Sequence, residues 1–275
     1  MGIAVRHPLP GVGRNLQDRY EVGVVAKATR PFKLLEGATF GKPDPDADKV
    51  LQDWRDGRDG IYATNGAVLG IIMRSSTREE TDPPDLYIFG IPGAFHGYEV
   101  GYTEPIGKFD DRFTWAVLKG HTDNRAGYVK LNSADPFDTP EIHFKYFEEG
   151  DQPDEDDVQS VVDGVEFVLD IYDRLIEKGV IEEVEAPADR SDLGRFVRDN
   201  AWGHHASCTC KIGADGDANA VLDGDFRVRG IENLRVVDAS VFPRIPGLFI
   251  LASVYMISEK ASDVIIAQHG TAGQT

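Results

Sequence analysis

The stretch "WGHHASCTCKIG", residues 202–213, sets two adjacent histidines, His204 and His205, ahead of Cys208 and Cys210, the only cysteines in the chain. Three chemistries use such residues: metal ligation, thiol nucleophilicity and proton transfer by imidazole. A structural zinc site draws its ligands from two separated pairs with a turn between them, whereas these four side chains crowd into a single short segment. A nucleophilic cysteine needs a setting that stabilises its thiolate, and "SCTCKI" reads instead as a strand of small buried side chains. An imidazole can take up or release a proton near neutral pH. Taken alone, the histidine pair reads first as a packed structural feature and second as a base facing a cofactor, and no metal site is expected.

The elements that must position this pair come from the rest of the chain. Its 275 residues, 41% hydrophobic and 9% aromatic, suffice for one large domain or two smaller ones. Forty-seven acidic against 29 basic residues give a net charge of −18, which argues against nucleic acid and anionic membranes as partners. The two cysteines lie too close in sequence for an easy bridge, so a reducing cytoplasm is expected. "MGIAVRHPLPGVG" lacks the apolar run of a secretory signal, and "GLFILASVYMI" is too short and mixed to span a bilayer.

"YEVGVVAKAT" alternates and predicts a strand over 20–29, followed by a short helix around Val50 to Trp54. "GAVLGIIMRS", "DLYIFGIP", "FTWAVLKGHT" and "GYVKLNS", separated by turn clusters, predict an antiparallel sheet. From Asp154 to Gly179 the period changes to that of a helix, with Val158, Val161, Val162, Val165, Val168, Tyr172 and Leu175 on one face, acids in the first turn and Gly179 as the stop. A second helix is expected after Ser191 as its cap, a strand at "NLRVVDAS", and a closing helix from about Ser253 to Gln268.

Joined to the residues downstream of it, the His205–Cys210 segment acquires a family likeness. His-x-x-x-x-Cys, then "FRVRGIENLRVVDASVFPRIPG", then "MISEKASDVI", resembles the C-terminal signature of the glucose–methanol–choline (GMC) oxidoreductases, flavin enzymes that oxidise alcohols. "LPGVGRNLQDR", "TNGAVLGIIMRS" and "VKLNSADPFDTPEIHFKYF" resemble earlier segments of that family, in family order, from residue 9 to residue 266. The family's Gly-x-Gly-x-x-Gly phosphate turn has no counterpart: "GVG" at 11–13 lacks a preceding strand and reads as a plain turn.

The resemblance implies an α+β fold. An antiparallel-sheet substrate-binding domain backed by helices would occupy residues 20–199, and residues 1–19 with 200–275 would form the incomplete C-terminal part of an FAD-binding α/β domain. It implies FAD as cofactor, a small-molecule alcohol as substrate, and a Rossmann FAD-binding half that is a separate polypeptide or has been lost. His205 would be the base that takes the hydroxyl proton, with His204 orienting it or packing beside it. Asp238 and Ala239 would approach the flavin's linker, Gly247, Phe249 and Ile250 would run beside its pyrimidine edge, and Asn15 and Asp18 would form a lid over the cofactor. Read without the family, Asp238 is equally a turn acid, and Asn15 and Asp18 a capped turn.

Three positions depart from the family pattern: Phe249 stands where Asn or His usually bonds the substrate oxygen, Cys208 where Gly is usual, and Arg19 where His follows "NLQD". A phenyl ring donates no hydrogen bond. Two alternatives arise on the same scaffold, a lyase that cleaves cyanohydrins and a non-catalytic or truncated subunit.

Overall fold

The computed structural model of the chain describes residues 2–40, 44–108, 110–147 and 155–269. In chain order its elements are β1 (Arg14–Leu16), β2 (Tyr20–Ala28), α1 (Lys49–Gly57), β3 (Leu69–Met73), β4 (Leu86–Pro92), α2 (Thr103–Lys108), β5 (Arg112–Lys119), β6 (Gly127–Lys130), β7 (Glu141–His143), α3 (Glu155–Glu177), β8 (Ile181–Ala186), α4 (Leu193–Asn200) and α5 (Leu251–His269). The mixed α and β architecture expected from the sequence is present. By compactness the chain divides into Met1–Arg19, Gly120–Asp157 and Gly203–Thr275 on one side and Tyr20–Lys119 and Val158–Trp202 on the other. Residues 120–157, assigned to the substrate-binding segment on sequence alone, thus group with the chain ends.

The unit around Tyr20–Lys119 is built on a five-stranded sheet in the order β3-β4-β5-β2-β8, every described pairing antiparallel. β4 alternates buried and half-buried positions along its length, the period of a sheet with one face against a core. α3 covers a face of that sheet through Val158, Val161, Val162, Val165, Val168 and Tyr172, all buried. Gly164 permits the contact, since a Cβ there would sit 2.5 Å from Val117 Cγ1 on β5. The Tyr172 hydroxyl donates to the carbonyls of Phe113 and Val24, which satisfies its polar tip inside the core. The acids of the first turn and Gly179, in the left-handed region just past the helix, bound α3 as expected; Asp154 lies outside the described residues.

Where α3 meets the end of the sheet, a charge is buried. Lys119 Nζ donates to Asp85 Oδ2 at 2.6 Å and to Ser160 Oγ at 2.8 Å, and Ser75 donates to the same carboxylate through N and Oγ. Both ionic side chains are at most 1% exposed. Burial pushes the Asp85 carboxyl up, but the bonds from Lys119 and Ser75 outweigh it and hold the group below its ordinary value. The same unit carries an edge-to-face aromatic cluster of Phe95, Tyr98, Tyr102 and Trp202, with Trp202 paired through its backbone to Glu21 on β2.

The other unit has a three-stranded antiparallel sheet, β1-β6-β7, and a core of Cys208, Val221, Leu222, Phe226, Val228, Val241, Phe242, Ile245 and Ala261. Val254 and Ile257 of α5 pack against that core. The glycines of "GVG" answer a packing need. The carbonyl oxygens of Asn219 and Val129 lie 2.1 and 2.2 Å from where the Cβ atoms of Gly11 and Gly13 would be, and Gly13 has a φ of +75°.

Three local expectations are corrected. α4 is capped by Asp192, whose carboxylate accepts from Arg195 N at 2.8 Å; Ser191 sits one residue early, its N–H held by Asp189, and a carboxylate suits the positive helix N-terminus better. "NLRVVDAS" forms no strand: it makes one isolated bridge, Arg227↔Arg235, and then a single 3₁₀ turn, Ala239–Val241. "SCTCKI" is extended, but the N–H groups of Cys208, Cys210 and Ile212 donate to the carbonyls of Ala239, Ser240 and Val241, so the turn takes the place of a ladder partner.

Replacing Lys119 with Met leaves Asp85 buried with only the more distant Arg78 Nε, at 3.5 Å, as a cation and is expected to destabilise this unit by up to about 3–5 kcal/mol in urea unfolding. The Lys119→Met/Asp85→Leu double variant should regain most of the loss. Because the Asp85 carboxyl is depressed in the folded state, its stabilising contribution is present above the unfolded carboxylate range near pH 4 and is lost as pH falls through the folded value.

Candidate functional site

The site is assembled around one buried carboxylate. Asp18 follows β1, and its Oδ1 accepts from the backbone N–H groups of Arg19 and His205, both at 2.8 Å. Its Oδ2 accepts from the Tyr146 hydroxyl at 3.0 Å, and its carbonyl from Thr122 Oγ1 at 2.8 Å. Burial pushes the carboxyl above its ordinary value, against the pull of these donors. Gly203 lies so close to the cluster that a Cβ there would be 2.4 Å from Asp18 Oδ2 and 2.5 Å from the Tyr146 hydroxyl. The glycine of "WGHH" therefore makes room for the carboxylate that holds the following histidines.

His205 is buried and His204 is open to solvent; their rings lie 4.1 Å apart, tilted by 36°. The His205 imidazole is pushed down to about 3, first by burial and then by the neighbouring His204 and Arg19 charges. His204 is also lowered, by burial and by Arg19. At neutral pH His205 is thus an uncharged ring with a lone pair, and its Nδ1 finds no hydrogen-bond partner among the described residues.

Phe249 stands edge-on to His205, ring centroids 5.7 Å apart at 74°. The loop that carries it is tied down by Arg19, whose Nη2 donates to the carbonyls of Pro246 and Gly247. His121 lies beside the same loop, in van der Waals reach of a Cβ placed on Gly247. Upstream, Asn15 in the left-handed region (φ 63°) donates through Nδ2 to Cys208 O and Pro243 O, both at 3.3 Å. Gln17 accepts from Ile245 N at 3.1 Å and donates to Asn15 Oδ1 at 2.9 Å.

Of the residues singled out on sequence, His204, His205, Asp18 and Phe249 come together directly, and Gly247 joins them through Arg19. Asn15 reaches the cluster through Cys208 and Pro243. Asp238 is exposed and caps the 3₁₀ turn through Ser240 N at 2.8 Å, while Ala239 connects through its carbonyl to Cys208. Ile250 packs on the hydrophobic core ahead of α5. Gln17, Tyr146, His121 and Gly203 went unremarked in the sequence, because nothing in linear spacing links Asp18 to a tyrosine 128 residues away. Burial pushes the Cys208 thiol up to about 12 and raises Cys210 as well, so neither sulfur is a thiolate at neutral pH.

An uncharged imidazole backed by a carboxylate-held turn suits general-base chemistry on a bound hydroxyl. The GMC oxidoreductase family profile matches residues 123–258. The chain is 33% identical over 271 residues to the oxygen-dependent choline dehydrogenase of Photobacterium profundum and 32% identical to that of Vibrio vulnificus, each alignment covering 96% of this chain. It spans 44% and 45% of the length of those relatives. Among solved structures, a formate oxidase variant from Aspergillus oryzae superposes with a TM-score of 0.79 at 25% identity, over 98% of this chain and 50% of that one. Similarity of that extent to full-length relatives, together with the family match through the histidine segment, means that the chain belongs to the GMC oxidoreductase family.

Proposed function

We propose that this chain supplies the catalytic-histidine portion of an FAD-dependent alcohol oxidoreductase, with His205 as the base. One observation carries the reading: the buried, uncharged His205 ring has an Nδ1 without a hydrogen-bond partner among the described residues. A buried ring nitrogen of that kind is completed by a hydroxyl or by a cofactor atom. When bound, the flavin would supply the redox chemistry by accepting hydride from the carbon. His205 would accept the hydroxyl proton as the C–H bond breaks, Asp18 would hold the backbone that presents the ring, and Phe249 would keep water from its face.

The residues present fit the ring side of such a cofactor and not its pyrophosphate. Gly11 and Gly13 pack against backbone carbonyls, and the N–H groups of Val12, Gly13 and Arg14 are already bonded to the carbonyls of Leu9, Thr209 and Gly11, so the "GVG" turn does not hold them out to a phosphate. The nucleotide-binding portion would come from further sequence in the same polypeptide or from a second one. α5 supports the need for a covering surface: Leu251, Tyr255, Met256 and Ile266 are each about two-thirds exposed, opposite the face packed on the core.

The relatives named as choline dehydrogenases favour a cationic alcohol as the substrate class.

In the enzyme reconstituted with its FAD-binding portion, His205→Ala is expected to slow flavin reduction by an alcohol by roughly 10² or more. Unchanged reduction, followed by flavin absorbance, would remove His205 from the reaction. In the same enzyme kcat/KM for choline should exceed that for its uncharged analogue 3,3-dimethylbutan-1-ol by about tenfold or more. Equal values for the two would discard the cationic substrate class. Stability is expected to depend on pH as well. The folded His205 binds its proton more weakly than an unfolded imidazole, so the native state loses stability as pH drops from about 6.5 toward 3. His205→Asn should flatten the denaturant midpoint over that interval.

A further inference from the structure

Arg19 is the departure from the family pattern that the proposed reaction leaves unused. Its side chain is fully buried, yet it neither caps a helix nor lies in a sheet ladder. Its backbone N–H bonds the same Asp18 oxygen as the N–H of His205, which holds the two backbones within a few ångströms of each other. Its guanidinium reaches the carbonyls of Pro246 and Gly247, three and two residues before Phe249. A guanidinium stays charged when buried, and both carbonyls are held by its single Nη2 amino group at the far end of the side chain. The charge is therefore permanent, and it is fastened to the loop that presents the residue unable to donate a hydrogen bond.

We propose that Arg19 is a positioning residue of the histidine site, which clamps the Pro246–Gly247 loop and places a permanent positive charge beside His204 and His205, the polarity that Phe249 cannot provide. In the proposed oxidation, on whose reading the functional part of this inference rests, that charge keeps His205 deprotonated and favours the developing alkoxide. The groups facing His205 are the Asp18 carboxylate with the Tyr146 hydroxyl on it, the His204 ring, Arg19 and Phe249. His121 lies across Gly247, and Arg125 acts on the nearby Cys208 thiol. Among these, Arg19 is the charged group that acts on both imidazoles.

The test needs no flavin. Imidazole titrations of the 275-residue chain, read by NMR on selectively labelled histidine, should place His204 and His205 below an ordinary histidine. In Arg19→Met both midpoints should rise by roughly one unit. Arg19→Lys, which keeps the charge but ends short of the Nη2 position, should leave the titrations low while amide exchange at residues 245–249 speeds up by about tenfold or more. Titrations unmoved by Arg19→Met, or wild-type rings with ordinary midpoints, would overturn the charge assignment, and unchanged exchange in Arg19→Lys would overturn the clamp. Should Arg19→Met not fold, Arg19→Gln carries the same comparison, and failure of both alongside a folded Arg19→Lys with low midpoints supports the requirement for a cation. None of these outcomes depends on whether His205→Ala slows flavin reduction, so the two readings fail separately.

Discussion

The histidine site depends on a carboxylate that water does not reach. Asp18 gathers two backbone N–H groups and a tyrosine hydroxyl from three stretches of chain far apart in sequence, and with those donors in place its burial is tolerated. A buried acceptor with fixed donors has little freedom to rearrange, so the backbone entering His205 and the backbone at Arg19 hold one geometry. Gly203 is the steric condition for that arrangement, because any side chain at that position would occupy the space of the carboxylate oxygen.

Among the described residues each compact unit buries a cation, Lys119 in one and Arg19 in the other, and the two solutions differ in a way that reflects their chemistry. Lys119 meets a carboxylate and a serine hydroxyl, a closed network in which charge is compensated. Arg19 meets the backbone carbonyls of Pro246 and Gly247 through Nη2, and its charge acts on the Asp18 carboxyl as well as on the two imidazoles. The first arrangement serves as a structural rivet at the end of a sheet, while the second ties a loop to the histidine cluster. An acidic chain of net charge −18 would attract cations over its surface generally, so a buried positive charge beside the histidines is a local decision of the fold and not a consequence of composition.

The hydrophobic surface left on α5 has a similar logic. Val254, Ile257 and Ala261 share one face and pack on a core that contains Cys208, while the opposite face remains apolar and uncovered among the described residues. Relatives of which this chain spans only about half are consistent with a helix that is buried on both sides in the full assembly.

By itself the sequence determined the elements whose signal is periodic and local. The valine stripe of α3, the alternation of β2 and β4, the glycine stop at 179 and the turn at "GVG" all come from 3.6- and 2-residue periods and from backbone freedom. His205 was legible through ordered motifs. The cap of α4 and the non-strand at "NLRVVDAS" were not, because several neighbouring side chains could cap one helix and because a strand exists only where another chain segment completes its ladder. Only the tertiary structure decided that Tyr146, Gln17 and Arg19 belong to the site, and that Asp238 serves a turn. The physical reason is that burial, hydrogen-bond partnership and the electrostatic push on an imidazole are properties of the space around a residue, and that space is filled by segments more than a hundred residues away.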